Sequence, residues 1–334
     1  MRAWQISAFG VDSLEFVERA TPQQGPGEVL VKIHAVALNY RDLMMVKGLY
    51  NPKLKLPRIP CSDGAGEVVA LGEGVSAWKP GDRVAGIFMQ NWLDGPPTPA
   101  RTKGALGGDI DGMLAEYVVL KETGLVRVPD HLSFEEAATL PCAGVTAWNA
   151  LAVGALKPGA TVLIQGTGGV SIFALQFAHL AGARVLGISS SREKLDRAIG
   201  LGLEGGLNYR DTPDWDRWTL EQTGGEGVDL VVEVGGAGTL PRSLRALRMG
   251  GVIAQVGVLS GPSEALPVPV ILHKQARIQG IYVGSRSDFE EMNEGIARGQ
   301  LRPVLQSFPW TQAREVLTRI ENASHFGKLV LVVA

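Results

Sequence analysis

Cysteine is nearly absent from this chain, whose 334 residues include two, Cys61 and Cys142. That count excludes a disulfide framework and fits a reducing, cytoplasmic setting. Long apolar runs are missing as well. No stretch approaches the ~20 residues that span a bilayer, and Met1-Arg2-Ala3-Trp4-Gln5-Ile6 reads as a first strand with no secretory apolar core. No membrane partner is expected. Charge of one sign is lacking too: 32 Lys and Arg stand against 34 Asp and Glu. With no basic block or basic helix face to neutralise phosphodiesters, nucleic acid is excluded as a primary partner. The five histidines, His34, His131, His179, His273 and His325, show no ligand spacing. What is present, 45% hydrophobic residues over a length that fills two ordinary domains, is the composition of a soluble enzyme.

Val162-Leu163-Ile164-Gln165-Gly166-Thr167-Gly168-Gly169-Val170-Ser171 reads as a buried strand, a glycine turn and an apolar helix. That order cradles a dinucleotide pyrophosphate. Gly166 permits the tight turn, Gly168 lets backbone N–H groups approach the phosphates, and the helix opening near Gly169 offers its positive end to the anion. The third glycine position holds Ser171. Another absence then selects the dinucleotide: an NAD site carries an acid roughly 20 residues on, yet no acidic residue lies between Gly166 and Arg192. The second strand ends instead in Ser189-Ser190-Ser191-Arg192-Glu193-Lys194. Arg192 and Lys194, with the serines as further donors, suit the 2′-phosphate of NADP. The same residues also read as a solvated loop whose Ser caps a helix.

Along the chain, short strand-like runs broken by Gly and Pro fill the first part, up to about residue 124. Val29–Val36 and Gly66–Leu71 are examples, and Gly95-Pro96-Pro97-Thr98-Pro99 marks a loop. From Leu125 strands alternate with helices. Strands are expected at Thr161–Gln165, Ala183–Ser189, a short run ending at Tyr209, Val228–Glu233, Gly251–Val256 and Arg277–Val283. Helices are expected at Val170–Ala181, Glu193–Leu201 and Leu240–Arg248. The fold class is α/β: a Rossmann-type doubly wound parallel sheet over 125–287 beside a mostly β domain over 1–124. A tail over 288–334, ending in the strand Lys328–Val333, is expected to return to the first domain.

Gly25-Pro26-Gly27-Glu28-Val29-Leu30-Val31, Asn39-Tyr40-Arg41-Asp42, Asp63-Gly64-Ala65-Gly66-Glu67-Val68, Lys79-Pro80-Gly81-Asp82-Arg83-Val84, the nucleotide turn and Gly327-Lys328-Leu329-Val330 occur in that order. Together they resemble the medium-chain dehydrogenase/reductase superfamily, and within it the zinc-independent, quinone-oxidoreductase-like branch, over essentially the full length. The resemblance implies a GroES-like catalytic domain, a Rossmann domain with a cleft between them, and a homodimer often built by joining Rossmann sheets edge to edge. By the same resemblance, the Cys, His and Cys that hold catalytic zinc in related alcohol dehydrogenases correspond to Asn39, Ser62 and Cys142. One thiolate with an amide and a hydroxyl is not a zinc site, and Met89–Asp111, where the structural-zinc cysteines would fall, has none. No metal is expected, and Cys142 reads as a small core residue.

Without a Lewis acid, a simple alcohol has nothing to lower its pKa. A quinone or an α,β-unsaturated carbonyl remains accessible, because charge spreads onto an oxygen that hydrogen-bond donors can stabilise. Asn39 and Tyr40, in a turn whose counterparts in related enzymes face the nicotinamide, and Tyr50 nearby are the candidate catalytic donors. A phenol here also reads as core with its hydroxyl satisfied, and Arg41 and Asp42 are expected to pair and fix the turn. Cofactor contacts implied by the resemblance and by position in the sheet are Thr146, Gly166, Thr167, Gly168, Gly169, Val170, Ser189, Ser190, Arg192, Lys194, Tyr209, Gly235, Val256, Gly257, Tyr282, Val283 and Lys328. Ordinary turns for the glycines and a solvated lysine for Lys328 are the structural alternatives. The expected function is NADPH-dependent, zinc-independent reduction of a quinone or activated enone. The alternatives are an NADPH-binding sensor or structural protein with little turnover, and an alcohol dehydrogenase.

Overall fold

The structure, a computed structural model, describes residues 1–261 and 265–333. Its two compact units divide between Val145 and Thr146 and again between Tyr282 and Val283. The expected boundaries at 124/125 and 287/288 are corrected accordingly. Leu125–Arg127 is a strand paired antiparallel with Arg83–Gly86, so it cannot leave the first unit. The capped helix Phe134–Ala138 follows it within that unit, opened by Ser133, whose hydroxyl accepts from Glu136 N–H.

The first unit is built on Glu28–Leu38, a strand whose apolar side chains are largely buried. It pairs antiparallel with Asp63–Leu71, Tyr117–Lys121 and Lys328–Val332. The last of these pairs in turn with Leu305–Pro309. The C-terminal segment thus supplies strands to the first unit's sheet, and the register sets Leu329 opposite Leu38. The helix Tyr40–Val46 leaves directly from the end of the long strand. Ile33, Val36, Leu43, Val68, Leu114, Trp310 and Leu331 belong to one core. Removing such apolar surface from water is the main driving force for this layer.

The second unit holds a six-stranded sheet, parallel throughout. From one edge to the other its strands are Gly205–Asn208, Arg184–Ser189, Thr161–Gln165, Val228–Glu233, Leu247–Gln255 and Arg277–Gly280. In chain order this is the doubly wound arrangement, which reverses direction beside its first strand. The helices Gly169–Leu180, Arg192–Ile199, Trp215–Gln222, Leu240–Ala246 and Val268–Lys274 join successive strands. Burial on both faces explains runs such as Val162-Leu163-Ile164, each residue at most 1% exposed. The largest differences from the sequence reading are at the start of the fifth strand and the end of the sixth. The fifth strand begins at Leu247, ending the helix before Arg248. The sixth stops at Gly280, because the chain leaves the sheet before Val283, which adopts φ +55°.

Candidate active site: a nucleotide turn and a buried polar cluster

In the second unit the first strand ends at Gln165, and Gly166 turns with φ +70° and open space where a Cβ would stand. The helix Gly169–Leu180 starts from Gly168 with no side-chain cap; Thr167 before it is buried, and Val170 lies in its first turn. Its first backbone N–H groups are therefore left by its own side chains for an external anion. Ser171 explains the departure from a third glycine: its buried hydroxyl donates to Gln165 O at 2.6 Å, tying the helix start back to the strand end. These residues fit a dinucleotide pyrophosphate.

Gly166 N–H donates to Ile188 O at 2.6 Å, which sets the turn against the end of the second strand. Ser189 there is buried, and its carbonyl accepts from Tyr209 N–H at 3.0 Å. Both Tyr209 and the half-buried Ser190 thus sit where an adenosine ribose belongs in such sheets. Ser191 caps the helix Arg192–Ile199 through Lys194 N–H at 3.3 Å, as the capping alternative expects. Arg192 is exposed and lies 3.7 Å from Asp196. Partial burial lowers the Lys194 pKa, against the opposing pull of Glu193. Two cations and a serine therefore flank this strand end, and capping by Ser191 competes with none of them.

The glycines beyond the fourth and fifth strands are organised by a residue the sequence reading missed. Glu233, fully buried, accepts from Gln165 Nε2 at 2.7 Å, Thr239 Oγ1 at 2.6 Å, Gly235 N at 2.9 Å and Gly236 N at 3.0 Å, and from Ser243 Oγ. Its backbone carbonyl accepts from Val256 N and Gly257 N at 2.8 and 3.1 Å. A Cβ on Gly257 would lie 2.1 Å from Val234 O, so only glycine permits this approach. Gln165 closes the network by accepting from Gly235 N at 3.2 Å. The signal available in the sequence was an acid ending an otherwise apolar strand just before Gly235-Gly236. Thr146 is buried near the start of the helix Val145–Ala152, and Tyr282 is half exposed at the end of this unit.

In the first unit Asn39, Ser62, Asp63, Cys142 and Lys328 come together, although they are distant in sequence. Asn39 precedes the helix Tyr40–Val46, and its N–H donates to Asp42 Oδ2 at 2.8 Å. Asp42 is fully buried; it also accepts from Ser62 N at 3.3 Å and lies 3.4 Å from Arg41 Nη1. Arg41 donates to Leu106 O at 2.6 Å and stands over the rings of Phe88 and Tyr50 at 4.8 and 5.8 Å. Ser62 Oγ donates to Asp63 Oδ1 at 2.7 Å, and Cys142 N donates to Asp63 Oδ2 at 3.1 Å. Burial pushes the Asp63 carboxyl up to about 6, despite the opposing Lys328 charge. Burial, then Asp63, also pushes the Cys142 thiol well above its ordinary value. Tyr40 and Tyr50 are 40% and 48% exposed, which sets aside the core reading for both phenols.

Lys328 is not a solvated lysine. Only 3% exposed, it donates from Nζ to Leu38 O at 2.7 Å and to Asn39 Oδ1 at 2.6 Å. Val283 is likewise buried and opens the returning segment of this unit.

Residues 25–130 match the alcohol dehydrogenase GroES-like domain, and 169–298 the zinc-binding dehydrogenase domain. A zinc-type alcohol dehydrogenase-like protein of Schizosaccharomyces pombe is 46% identical over 97% of this chain and 96% of its own length. An acryloyl-coenzyme A reductase of Metallosphaera sedula is 33% identical over 87% of each chain. A crystal structure of an NAD-dependent alcohol dehydrogenase superposes with TM-score 0.91 at 37% identity, covering 100% of both chains. The chain belongs to the medium-chain dehydrogenase/reductase superfamily and is an oxidoreductase of that family, the class that uses a nicotinamide cofactor.

Zinc, which the name of the matched domain implies, does not fit the residues present. Asn39 Oδ1 is taken by an ammonium and the Ser62 hydroxyl is spent on Asp63, which leaves Cys142 as the one metal-binding side chain of the three. Zinc requires a set of thiolate, imidazole or carboxylate ligands. Among the described residues no group of three or more His, Cys, Asp or Glu is placed to hold a metal ion. Among them, too, no helix is long and apolar enough to cross a membrane.

Proposed function

We propose that this protein is an NADPH-dependent, metal-independent reductase of activated α,β-unsaturated carbonyls or quinones. The observation that carries the reading is the Lys328 ammonium seated on Asn39 Oδ1, at a position where the metal enzymes of the superfamily need a ligand. A site with hydrogen-bond donors and a fixed cation suits an acceptor that delocalises charge onto oxygen, whereas an alkoxide needs a Lewis acid. The acryloyl-coenzyme A reductase among the relatives acts on a substrate of the conjugated kind, which supports the same reading.

Gly166 to Val170 would hold the pyrophosphate, and Ser189, Ser190, Arg192, Lys194 and Tyr209 the adenosine ribose with its 2′-phosphate. Thr146, Gly235, Val256, Gly257 and Tyr282 would line the rest of the dinucleotide site. NADPH, when bound, supplies hydride. Asn39 Nδ2 and the Tyr40 phenol would donate hydrogen bonds to the acceptor oxygen as its charge grows, with Tyr50 as a further phenol; solvent can deliver the final proton. Charge-assisted bonds at Arg192 and Lys194 favour NADPH over NADH by about 1 to 3 kcal/mol.

The test is an acceptor screen with both cofactors. Steady NADPH oxidation with enones or quinones, unaffected by prolonged chelation, is the expected result. Tight NADPH binding without turnover would favour a sensor. Turnover of simple alcohols that depends on bound zinc would return the chain to the alcohol dehydrogenases. Lys194→Ala should weaken NADPH and leave NADH unchanged; equal effects on both would remove the 2′-phosphate assignment.

The protein is also proposed to be a cytoplasmic homodimer, with no membrane or nucleic-acid partner. Support for pairing comes from the open edge strand Arg277–Gly280 with Ile278 exposed, and from Val268 and Leu272 exposed on the preceding helix. Light scattering should give twice the chain mass, and Ile278→Lys should yield monomers; a wild-type monomer would refute it.

A further inference from the structure

An ammonium has three donors and no acceptor. Lys328 therefore dictates which end of Asn39 it meets: Oδ1 faces the ammonium at 2.6 Å, and Nδ2 donates toward the buried Ser62 Oγ at 3.5 Å, with a second hydrogen to spare. The backbone on either side is fixed as well, by Leu38 O on Lys328 and by Asn39 N–H on Asp42. The counter-charge, Asp63 Oδ2, stands 3.9 Å from the ammonium, beyond a hydrogen bond. Asn39 rather than Asp63 thus receives a directed bond from this buried cation. A charged donor on an amide oxygen draws electron density from the amide and makes its N–H groups stronger donors, an effect water does not dilute at a buried site.

We propose that Lys328 is a positioning residue that supplies, through the Asn39 amide, the positive charge that a metal supplies elsewhere in the superfamily. It locks the Asn39 amide so that one Nδ2 hydrogen stays on Ser62 and the other is presented to the acceptor oxygen, and it polarises that second donor. A permanent ammonium has no exchangeable coordination position, so it assists a delocalised oxyanion and gives no help to an alcohol. The inference rests on the reductase reading for its acceptor and names the residue that orients the oxyanion donor.

Two readouts test it, one of them independent of turnover. In protein labelled with 15N-asparagine, the Asn39 side-chain amide is assigned by its loss in Asn39→Asp. In Lys328→Met this resonance should move and its exchange with water should rise roughly tenfold as the amide loses its anchor. Lys328→Gln, which keeps a donor but removes the charge, serves if the Met variant does not fold, and should give a smaller shift. An unmoved resonance in a folded variant overturns the proposal.

In single turnovers with NADPH and a small conjugated enone, Lys328→Met should slow hydride transfer about 10- to 100-fold. NADPH affinity should stay within about twofold, since the effect runs through Asn39. The double variant Lys328→Met with Asn39→Ala should be no slower than Asn39→Ala alone. Multiplying effects, or a loss confined to NADPH affinity, would make Lys328 a cofactor contact and overturn the inference. A resonance that moves in Lys328→Met, together with a wild type that reduces no acceptor, would refute the reductase reading while upholding the orientation of Asn39.

Discussion

The two units each bury a carboxylate at the heart of their polar network, and they neutralise it differently. Glu233 in the Rossmann unit is surrounded by neutral donors: two glycine N–H groups, a threonine, a serine and a glutamine amide. Asp63 in the first unit shares its cluster with a buried ammonium that bonds elsewhere. A carboxylate satisfied by several donors is a fixed anchor, and it holds the Gly235-Gly236 and Val256-Gly257 turns where a ligand is expected. A carboxylate whose burial outweighs its hydrogen bonds, and which is pushed up to about 6, responds to pH and to the charges around it. The first arrangement builds a rigid cradle; the second tunes a donor.

Replacing the anchor gives the largest expected effect. Glu233→Gln puts an amide N–H₂ where Gly235, Gly236 and Gln165 present N–H donors, so a buried N–H loses its acceptor or faces a donor. The cost should be about 3 kcal/mol in urea unfolding, with NADPH affinity falling as the glycine turns loosen. A loss under about 1 kcal/mol would mean that the network is not the anchor described.

Asp63 should show its difference in the pH dependence of stability. Its folded pKa lies above the ordinary carboxylate value, so between about pH 4 and 6 the folded state binds more protons than the unfolded one, and stability falls as pH rises. The stabilisation is fully present below about pH 4 and lost as pH passes through 6, on the order of 2 to 3 kcal/mol. Asp63→Asn should flatten that window relative to wild type, whereas Glu233→Gln should leave its shape unchanged. Parallel wild-type and Asp63→Asn profiles from denaturant titrations would contradict the assignment.

The same contrast separates what could be read in the sequence from what could not. Strands such as Val228–Glu233 and Thr161–Gln165 are legible because burial on both faces forces continuous apolar runs. The nucleotide turn is legible because backbone, dipole and glycine requirements fall within a few consecutive residues. The first unit's cluster joins positions 39, 63, 142 and 328 through strand pairing that no local pattern announces. Lys328 read equally well as a solvated lysine until the pairing of Lys328–Val332 with Glu28–Leu38 set Leu329 opposite Leu38 and carried its ammonium to Asn39. The domain boundary at 145 was hidden for the same reason: Leu125–Arg127 is a strand of the first unit only by virtue of its distant partner. Glu233 was visible as an oddity, but its role depended on donors from three other segments.

The smallest effect is expected at Tyr40, and it separates the tuned donor from its neighbour. Tyr40 begins the helix after Asn39 and is 40% exposed, so a hydrogen bond from its phenol competes with water and is weaker than one from the anchored amide of Asn39. Tyr40→Phe should slow hydride transfer to an enone by about tenfold or less, below the loss in Lys328→Met, with NADPH affinity unchanged. Tyr50→Phe should cost less still, because its ring packs beside the Arg41 guanidinium whether or not the hydroxyl is present. The measurement is single-turnover hydride transfer for the three variants with one enone and one quinone. If Tyr40→Phe matched wild type with both acceptors, the phenol would belong to packing and Asn39 alone would meet the oxygen. If it exceeded Lys328→Met, the main donor would be the exposed phenol, and the buried cluster would act only to hold the turn.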